Sequence, residues 1–176
     1  IDKSLLSLES GSIEFPYFCY PVNAVPIGFE GGILYCFLPE YGEMVFAANP
    51  ESCADRCVYP LAQNFSDFLR LILACGSANP VEQIAWMSRE RFENHLRAER
   101  AIQTEEQKAV LERLQSTFGL APMEDPFSYV KALQESFDGS KIQYSDEYYD
   151  CTGLAAASPS PAMAPVPATR RSGRAL

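Results

Sequence analysis

The sequence predicts an α+β domain, with an antiparallel sheet of about four to six strands in the N-terminal half and helices from the C-terminal half packed against it. Three observations support this class. Short aromatic and β-branched runs separated by Gly, Pro and Asn fill residues 15–61. Capped helical patterns fill residues 79–137. Residues 58–76 join the two regions and read as a strand followed by a very apolar helix.

The joining stretch, VYPLAQNFSDFLRLILACG, carries the strongest local pattern in the chain. Asn64 can cap a helix, Asp67 can complete a capping box three residues later, and Gly76 can end the helix in a left-handed conformation. Apolar residues recur at the spacing of one helix face, so we expect a buried core helix. These residues are Phe65, Phe68, Leu69, Ile72, Leu73 and Cys75.

The runs before the core helix are interpreted as strands of a meander. Gly31 and Gly32 predict a tight hairpin because glycine adopts positive φ readily, and residues 39–42 predict a second turn. Since short connections favour antiparallel neighbours, we expect a meander with one buried face and one partly covered face. The runs are residues 15–21, 25–29, 33–38 and 44–48, followed by residues 58–61.

The helical region carries a start signal before each segment. Asn79 with Pro80 predicts the first helix start, and Ser88 predicts the second. Residues 142–150 are acidic and rich in Tyr, and their composition favours an extended segment. The remaining signals are a capping box of Thr104 and Gln107, a stop at Gly119 and a last start at Asp125 with Pro126.

The chain divides into three segments by composition. We expect residues 1–12 to be a flexible or truncated start, residues 13–150 to form a single domain, and residues 151–176 to be a disordered basic tail rich in Ala, Pro and Ser. All 23 acidic residues lie in residues 1–150 beside 11 of the 14 basic ones, which gives this part a net charge of −12. The tail carries a charge of +3.

Charge and cysteine content limit the function classes. A domain this acidic repels phosphate backbones and anionic lipids, so we expect no nucleic acid and no membrane among its ligands. A basic protein suits it as a partner. The chain has no apolar run long enough to cross a bilayer, and its six cysteines are not a dense disulfide framework. We therefore expect a reducing, cytoplasmic location.

The sequence indicates no catalytic residue, cofactor or metal site. It contains no nucleophile elbow, phosphate-binding loop or dinucleotide motif. His95, the only histidine, lies beside the apolar stripe of a charged helix and is expected at the surface or half-buried. Cys53 and Cys57 are four positions apart, whereas zinc usually takes a closer pair and needs two more ligands. A small thiol- or zinc-dependent enzyme built on these three residues is the alternative function.

The final acidic segment is the candidate binding surface. Tyrosine is favoured at protein interfaces, and acidic neighbours can pair with Lys or Arg of a partner. The alternative is that the tyrosines fix the segment to the sheet while the acids face water. Together with two acids further upstream, the candidate binding residues are Glu124, Asp125, Tyr144, Asp146, Glu147, Tyr148, Tyr149 and Asp150.

Three stretches resemble the SUKH superfamily, which includes fungal glucan-synthesis regulators and bacterial toxin-immunity proteins. They are residues 28–42 (GFEGGILYCFLPEYG), 44–49 (MVFAAN) and 58–73 (VYPLAQNFSDFLRLIL). The resemblance implies a non-enzymatic α+β protein-binding domain, which as an immunity protein would neutralise a toxin by direct contact. The acidic charge would then face a basic toxin. A structural subunit that associates with a second copy of itself is a further possibility.

Overall fold

Strands in the N-terminal half form one antiparallel sheet in the computed structural model, which describes residues 2–14, 16–52 and 56–154. The strands are β1 (Val25–Glu30), β2 (Ile33–Phe37), β3 (Val45–Ala48) and β4 (Val58–Ala62). Each strand pairs with the next one along the chain, so their order in the sheet is β1-β2-β3-β4. The predicted meander is confirmed.

Helices follow the sheet in the chain. They are α1 (Phe65–Cys75), α2 (Ala78–Gln83), α3 (Arg89–Ile102), α4 (Glu105–Phe118), α5 (Pro126–Glu135) and α6 (Asp146–Thr152). Short 3-10 turns lie at Lys3–Leu6, Pro39–Tyr41 and Pro50–Ser52. Because the strands precede the helices and pack against them, the predicted α+β class is confirmed.

Both faces of the sheet are buried over β2, β3 and β4, whereas most of β1 is exposed or half-buried. Successive strand residues point to opposite sides, so Tyr35, Ala47 and Leu61 pack with the helices around α1 in a cluster that we call the first-face core. Leu34 and Phe46 point the other way, into a cluster that we call the second-face core. Over β2, β3 and β4 the second face is covered more completely than over β1, by residues outside the sheet. These are Cys19, Tyr20, Ile142 and Tyr148.

Helix α1 is the central element of the first-face core. Asn64 Oδ1 accepts the Asp67 N–H at 2.8 Å, and Gly76 ends the helix with a φ of 95°, as predicted. The Asp67 carboxylate accepts hydrogen bonds from Tyr129 Oη at 2.9 Å and Arg70 Nη1 at 3.1 Å instead of completing the predicted capping box. The fully buried side chains of α1 are Phe68, Leu71 and Ile72.

The start of α2 differs from the prediction, whereas the starts of α3, α4 and α5 agree with it. Ser77 precedes α2, so Asn79 and Pro80 occupy its second and third positions. Proline is tolerated there because the N–H groups of a first helical turn have no partner within the helix. The predicted caps of α3, α4 and α5 are confirmed, and they are Ser88, Thr104 with Gln107, and Asp125.

Residues 16–21 belong to no strand and form a turn at Phe18 and Cys19, so their assignment to a strand is wrong, and Phe15 lies outside the described residues. The Tyr20 N–H binds the Tyr17 carbonyl at 2.9 Å, which closes a local turn. Cys19 and Tyr20 are buried against the second face of the sheet. Aromatic composition in this run therefore reflects burial and not strand pairing.

Helix α6 replaces the extended segment expected over residues 142–150. Ser145 caps it, with Oγ accepting the Tyr148 N–H at 3.4 Å, and acids in the first turn suit the positive end of the helix dipole. The helix continues to Thr152, so the expected tail does not begin at residue 151. Residues 155–176, the greater part of that tail, lie outside the described residues.

Residues near the beginning of the described chain pack against the sheet. Leu6 and Leu8 are buried in the first-face core. Glu9 pairs with Phe29 through two backbone hydrogen bonds of 2.8 and 2.9 Å. This pairing covers the open edge of β1, where unpaired backbone groups would otherwise face water.

Candidate functional site

Glu82 is a charged side chain with no exposed surface. Its Oε1 accepts hydrogen bonds from Asn49 Nδ2 at 2.8 Å, from the Tyr59 hydroxyl, and from Trp86 Nε1 at 3.1 Å. Its Oε2 accepts from Gln83 Nε2 at 2.8 Å. Both carboxylate oxygens therefore have hydrogen-bond donors. The donors replace the water that the buried carboxylate has lost.

Several elements bring these groups together. Asn49 directly follows β3, and Tyr59 lies in the neighbouring strand β4. Glu82 lies in the last turn of α2, and Trp86 follows one turn later. Glu82 is not among the predicted binding residues. Its one signal in the sequence is a charged residue inside the apolar run VEQIAWM at residues 81–87.

A second carboxylate lies near this network. Glu30, at the end of β1, accepts a hydrogen bond from the Tyr35 hydroxyl at 3.3 Å. Burial raises the pKa of Glu30, while hydrogen bonds from neighbouring side chains oppose the rise. Burial and then the charge of Glu82 raise the pKa of Tyr59, which keeps its hydroxyl a donor. The first-face core therefore contains a polar layer between the sheet and α2.

A small pocket of about 240 Å³ opens beside the Glu82 network. Trp86 forms one wall and leaves 44% of its surface exposed. Its ring meets the Tyr59 ring edge-on, with centroids 5.2 Å apart. Because Glu82 binds both Trp86 Nε1 and the Tyr59 hydroxyl, it holds both rings in place. The lining residues are Arg56, Tyr59, Pro60, Ala85, Trp86 and Gln134.

The predicted tyrosine cluster packs as a stack of rings that fixes α6 to the second face of the sheet. The rings of Tyr144 and Tyr148 are stacked with centroids 3.8 Å apart, and Phe18 stacks on Tyr148 at 6.2 Å. Tyr149 meets Tyr148 edge-on at 5.5 Å. Burial raises the pKa of Tyr144. The acidic residues of α6 remain exposed, and they are Asp146, Glu147 and Asp150.

Glu124 and Asp125 lie in another part of the molecule. They directly precede α5 in the chain, and Asp125 contacts the start of α3. Asp125 Oδ1 accepts the Ser128 N–H at 3.0 Å, and Arg89 binds both carboxylate oxygens at 3.1 and 3.2 Å. Arg89 also lies 4.8 Å above the centre of the Phe127 ring. Phe127 packs on the first-face core, whereas α6 packs on the second. The predicted binding residues therefore form two groups in separate layers.

The Arg89 guanidinium, followed by the Ser128 N–H, lowers the pKa of Asp125 to about 2. A carboxyl group whose pKa is lowered in the folded protein stabilises the fold at pH values above its ordinary pKa. This stabilisation is lost as the pH falls toward 2. Asn at this position keeps the cap without the charge. Because half of the Asp125 side chain is exposed, we expect Asp125→Asn to cost only about 0.5 kcal/mol at pH 6 and about a third of that at pH 2.5. Urea denaturation at both pH values measures the difference. A constant difference would contradict the electrostatic cause.

Two of the buried thiols differ from reactive ones. Burial raises the pKa of Cys36 and of Cys75 to about 12, whereas a nucleophilic thiol needs a lowered pKa. Cys57 is buried in the second-face core, whereas the helix that carries the half-buried His95 packs on the first-face core, so the sheet separates them. Cys53 lies outside the described residues. Within the described ranges, no group of three or more His, Cys, Asp or Glu could hold a metal ion.

Comparison with known proteins adds no relative. No family model, no curated protein and no solved structure matches this chain. Over the part of the chain that the structure describes, none of the helices combines the length and the apolar character that a membrane crossing requires.

Proposed function

We propose that this chain is a non-enzymatic protein-binding domain of the SUKH type and that its partner is a basic protein. The observation that carries the proposal is the exposed acidic side of α6. Asp146, Glu147 and Asp150 face solvent from a helix that Tyr144 and Tyr148 fix to the core. In the described part of the chain, the ion pairs involve other acids, so these three carboxylates can pair with Lys or Arg of a partner.

Rigid anchoring of α6 supports this role. A binding surface that is already ordered loses less conformational entropy when a partner docks on it. The net charge of −12 over residues 1–150 adds long-range attraction for a basic partner, which accelerates association. The tyrosines contribute to binding by holding the acids in place, since Tyr148 itself is buried.

A basic toxin is the partner class that the SUKH resemblance favours, which makes this chain an immunity protein of the cytoplasm. The acidic surface supports a toxin as the partner because the negative charges of α6 complement the positive charges of a basic toxin. Full-length chain used as bait in an extract of its host should retain a basic protein that is released as the salt concentration rises. If that protein is toxic, co-expression of the chain should restore growth of the cells that produce it.

The decisive measurement is the affinity of the purified partner for charge variants of the full chain. Asp146→Asn, Glu147→Gln and Asp150→Asn, introduced together, should weaken binding by at least about tenfold, because they remove the charges that face the partner. The matched control changes three exposed acids of α4 and alters the net charge by the same amount. Its substitutions are Glu105→Gln, Glu106→Gln and Glu112→Gln.

The control should weaken binding by no more than about threefold, through the loss of long-range attraction alone. Equal losses in the two triple variants would show that only net charge matters, and unchanged affinity of the α6 variant would refute the proposed surface. Circular dichroism of both variants checks that the fold is intact.

A further inference from the structure

We infer that the pocket beside Trp86 binds a small aromatic monocarboxylate, with the ligand ring against the indole and the carboxylate against Arg56. The inference does not rest on the proposed function, because the pocket lies beside α2 and β4 and not on α6. Two rings of the pocket wall, Tyr59 and Trp86, are held by hydrogen bonds to Glu82.

The walls of the pocket favour an aromatic ligand. Tyr59, Pro60, Ala85 and Trp86 line it with rings and a methyl group. Trp86 Nε1 already donates to Glu82, so the indole offers its face to a ligand and not its N–H group. Aromatic rings stack favourably on such a face in offset or edge-on geometry. The exposed area of Trp86 therefore suits a second ring.

Arg56 gives the pocket its preference for an anion. It is the charged residue among the lining residues, and the ion pairs of the described residues do not involve it. A guanidinium binds a carboxylate through two parallel hydrogen bonds. Gln134 adds a polar side chain to the lining, with Nε2 donating to the Pro60 carbonyl at 3.4 Å.

Two further charges lie behind the pocket wall and act in opposite directions. Glu82 would repel an anion, but it is fully buried and accepts hydrogen bonds on both oxygens. Lys131 would attract an anion, and its Nζ donates to the Ala85 carbonyl at 3.1 Å. Because these two charges oppose each other, the positive charge of Arg56, a lining residue, decides the sign of the preferred ligand.

The size of the pocket limits the ligand to one ring with a short acid group. Its volume of about 240 Å³ is below the range of about 300–1,000 Å³ that suits drug-sized molecules. Glu82 is a positioning residue in this site: it holds Trp86 and the Tyr59 hydroxyl, so that the ring wall exists before a ligand arrives. A preformed wall reduces the entropy lost on binding.

Three probes with the same phenyl body and different charge test this inference: phenylacetate, phenylacetamide and phenethylamine. Because the chain contains one Trp, tryptophan emission of the full-length protein reports directly on the pocket. We expect a saturable change with phenylacetate at a dissociation constant on the order of 1 mM. Phenylacetamide should bind at least about fivefold more weakly, and phenethylamine more weakly still, because neither can form the ion pair.

Arg56→Gln should abolish the difference between phenylacetate and phenylacetamide, whereas Arg113→Gln, an exposed arginine on α4, should leave it unchanged. Both sites are exposed, so both variants should keep the fold. The inference is overturned if phenylacetate gives no saturable signal up to about 20 mM, if acid and amide bind equally, or if the amine binds best. Phenylacetate should bind the α6 triple variant as it binds the parent, so the outcome is independent of the proposed partner surface.

Discussion

Replacing Glu82 with Leu is expected to lower the free energy of unfolding by about 3–5 kcal/mol. Leu has a similar volume but no acceptor, so the substitution leaves Asn49 Nδ2 and the Tyr59 hydroxyl buried without their partner. Each unsatisfied buried donor costs about 1–3 kcal/mol. Urea denaturation followed by circular dichroism measures the loss.

Two variants control for this result. Glu82→Gln keeps one acceptor oxygen and should lose less, about 1–2 kcal/mol. Glu112→Leu introduces the same change at an exposed position of α4 and should stay within about 0.5 kcal/mol of the parent. A neutral or stabilising effect of Glu82→Leu would mean that the free-energy cost of burying the carboxylate is at least as large as the stabilisation from its hydrogen bonds. It would contradict the role of the network in holding the pocket wall.

Phe68→Ala is expected to lower the free energy of unfolding by about 3–5 kcal/mol. Phe68 is fully buried at the centre of the first-face core, where its ring lies 6.1 Å from that of Tyr35. Truncation removes buried apolar surface and leaves a cavity that the close-packed helix and sheet can fill only in part. Urea denaturation at several protein concentrations measures the loss and also detects any contribution from self-association.

The matched control is Phe118→Ala at the end of α4, where the side chain is 55% exposed. We expect this change to cost less than about 1 kcal/mol, because little apolar surface is lost from the core. Similar losses at both positions would mean that Phe68 does not occupy a close-packed core site, which would contradict the placement of α1 at the centre of the molecule.

Local signals in the sequence predict α1 correctly because they describe interactions within a few residues. The Asn64 cap, the Gly76 stop and the apolar face of α1 all depend on helix geometry alone. The hairpin at Gly31 and Gly32 is predicted for the same reason, since Gly31 has a φ of 55° that few other residues adopt readily. Strand order followed from the short connections between strands.

The layer on the second face of the sheet was decided by tertiary structure. Residues 16–21 and α6 both contain aromatic residues, and composition alone favoured strands or extended chain for them. In the folded protein they bury Tyr20 and Tyr148 against the sheet without joining its hydrogen-bond ladder. Burial of aromatic rings is possible in any backbone conformation, so the composition of these segments did not determine their secondary structure.

By itself, the sequence determined the α+β class, the meander, the central helix α1 and the acidic charge that supports a basic partner. Tertiary structure alone decided that Glu82 lies buried among donors from the residue after β3, from β4 and from the turn after α2, and that Trp86 lines a pocket with Arg56. The physical reason is the range of the interactions. Caps, turns and periodic faces act between near neighbours in sequence, whereas a buried polar network and a pocket form only where distant segments meet.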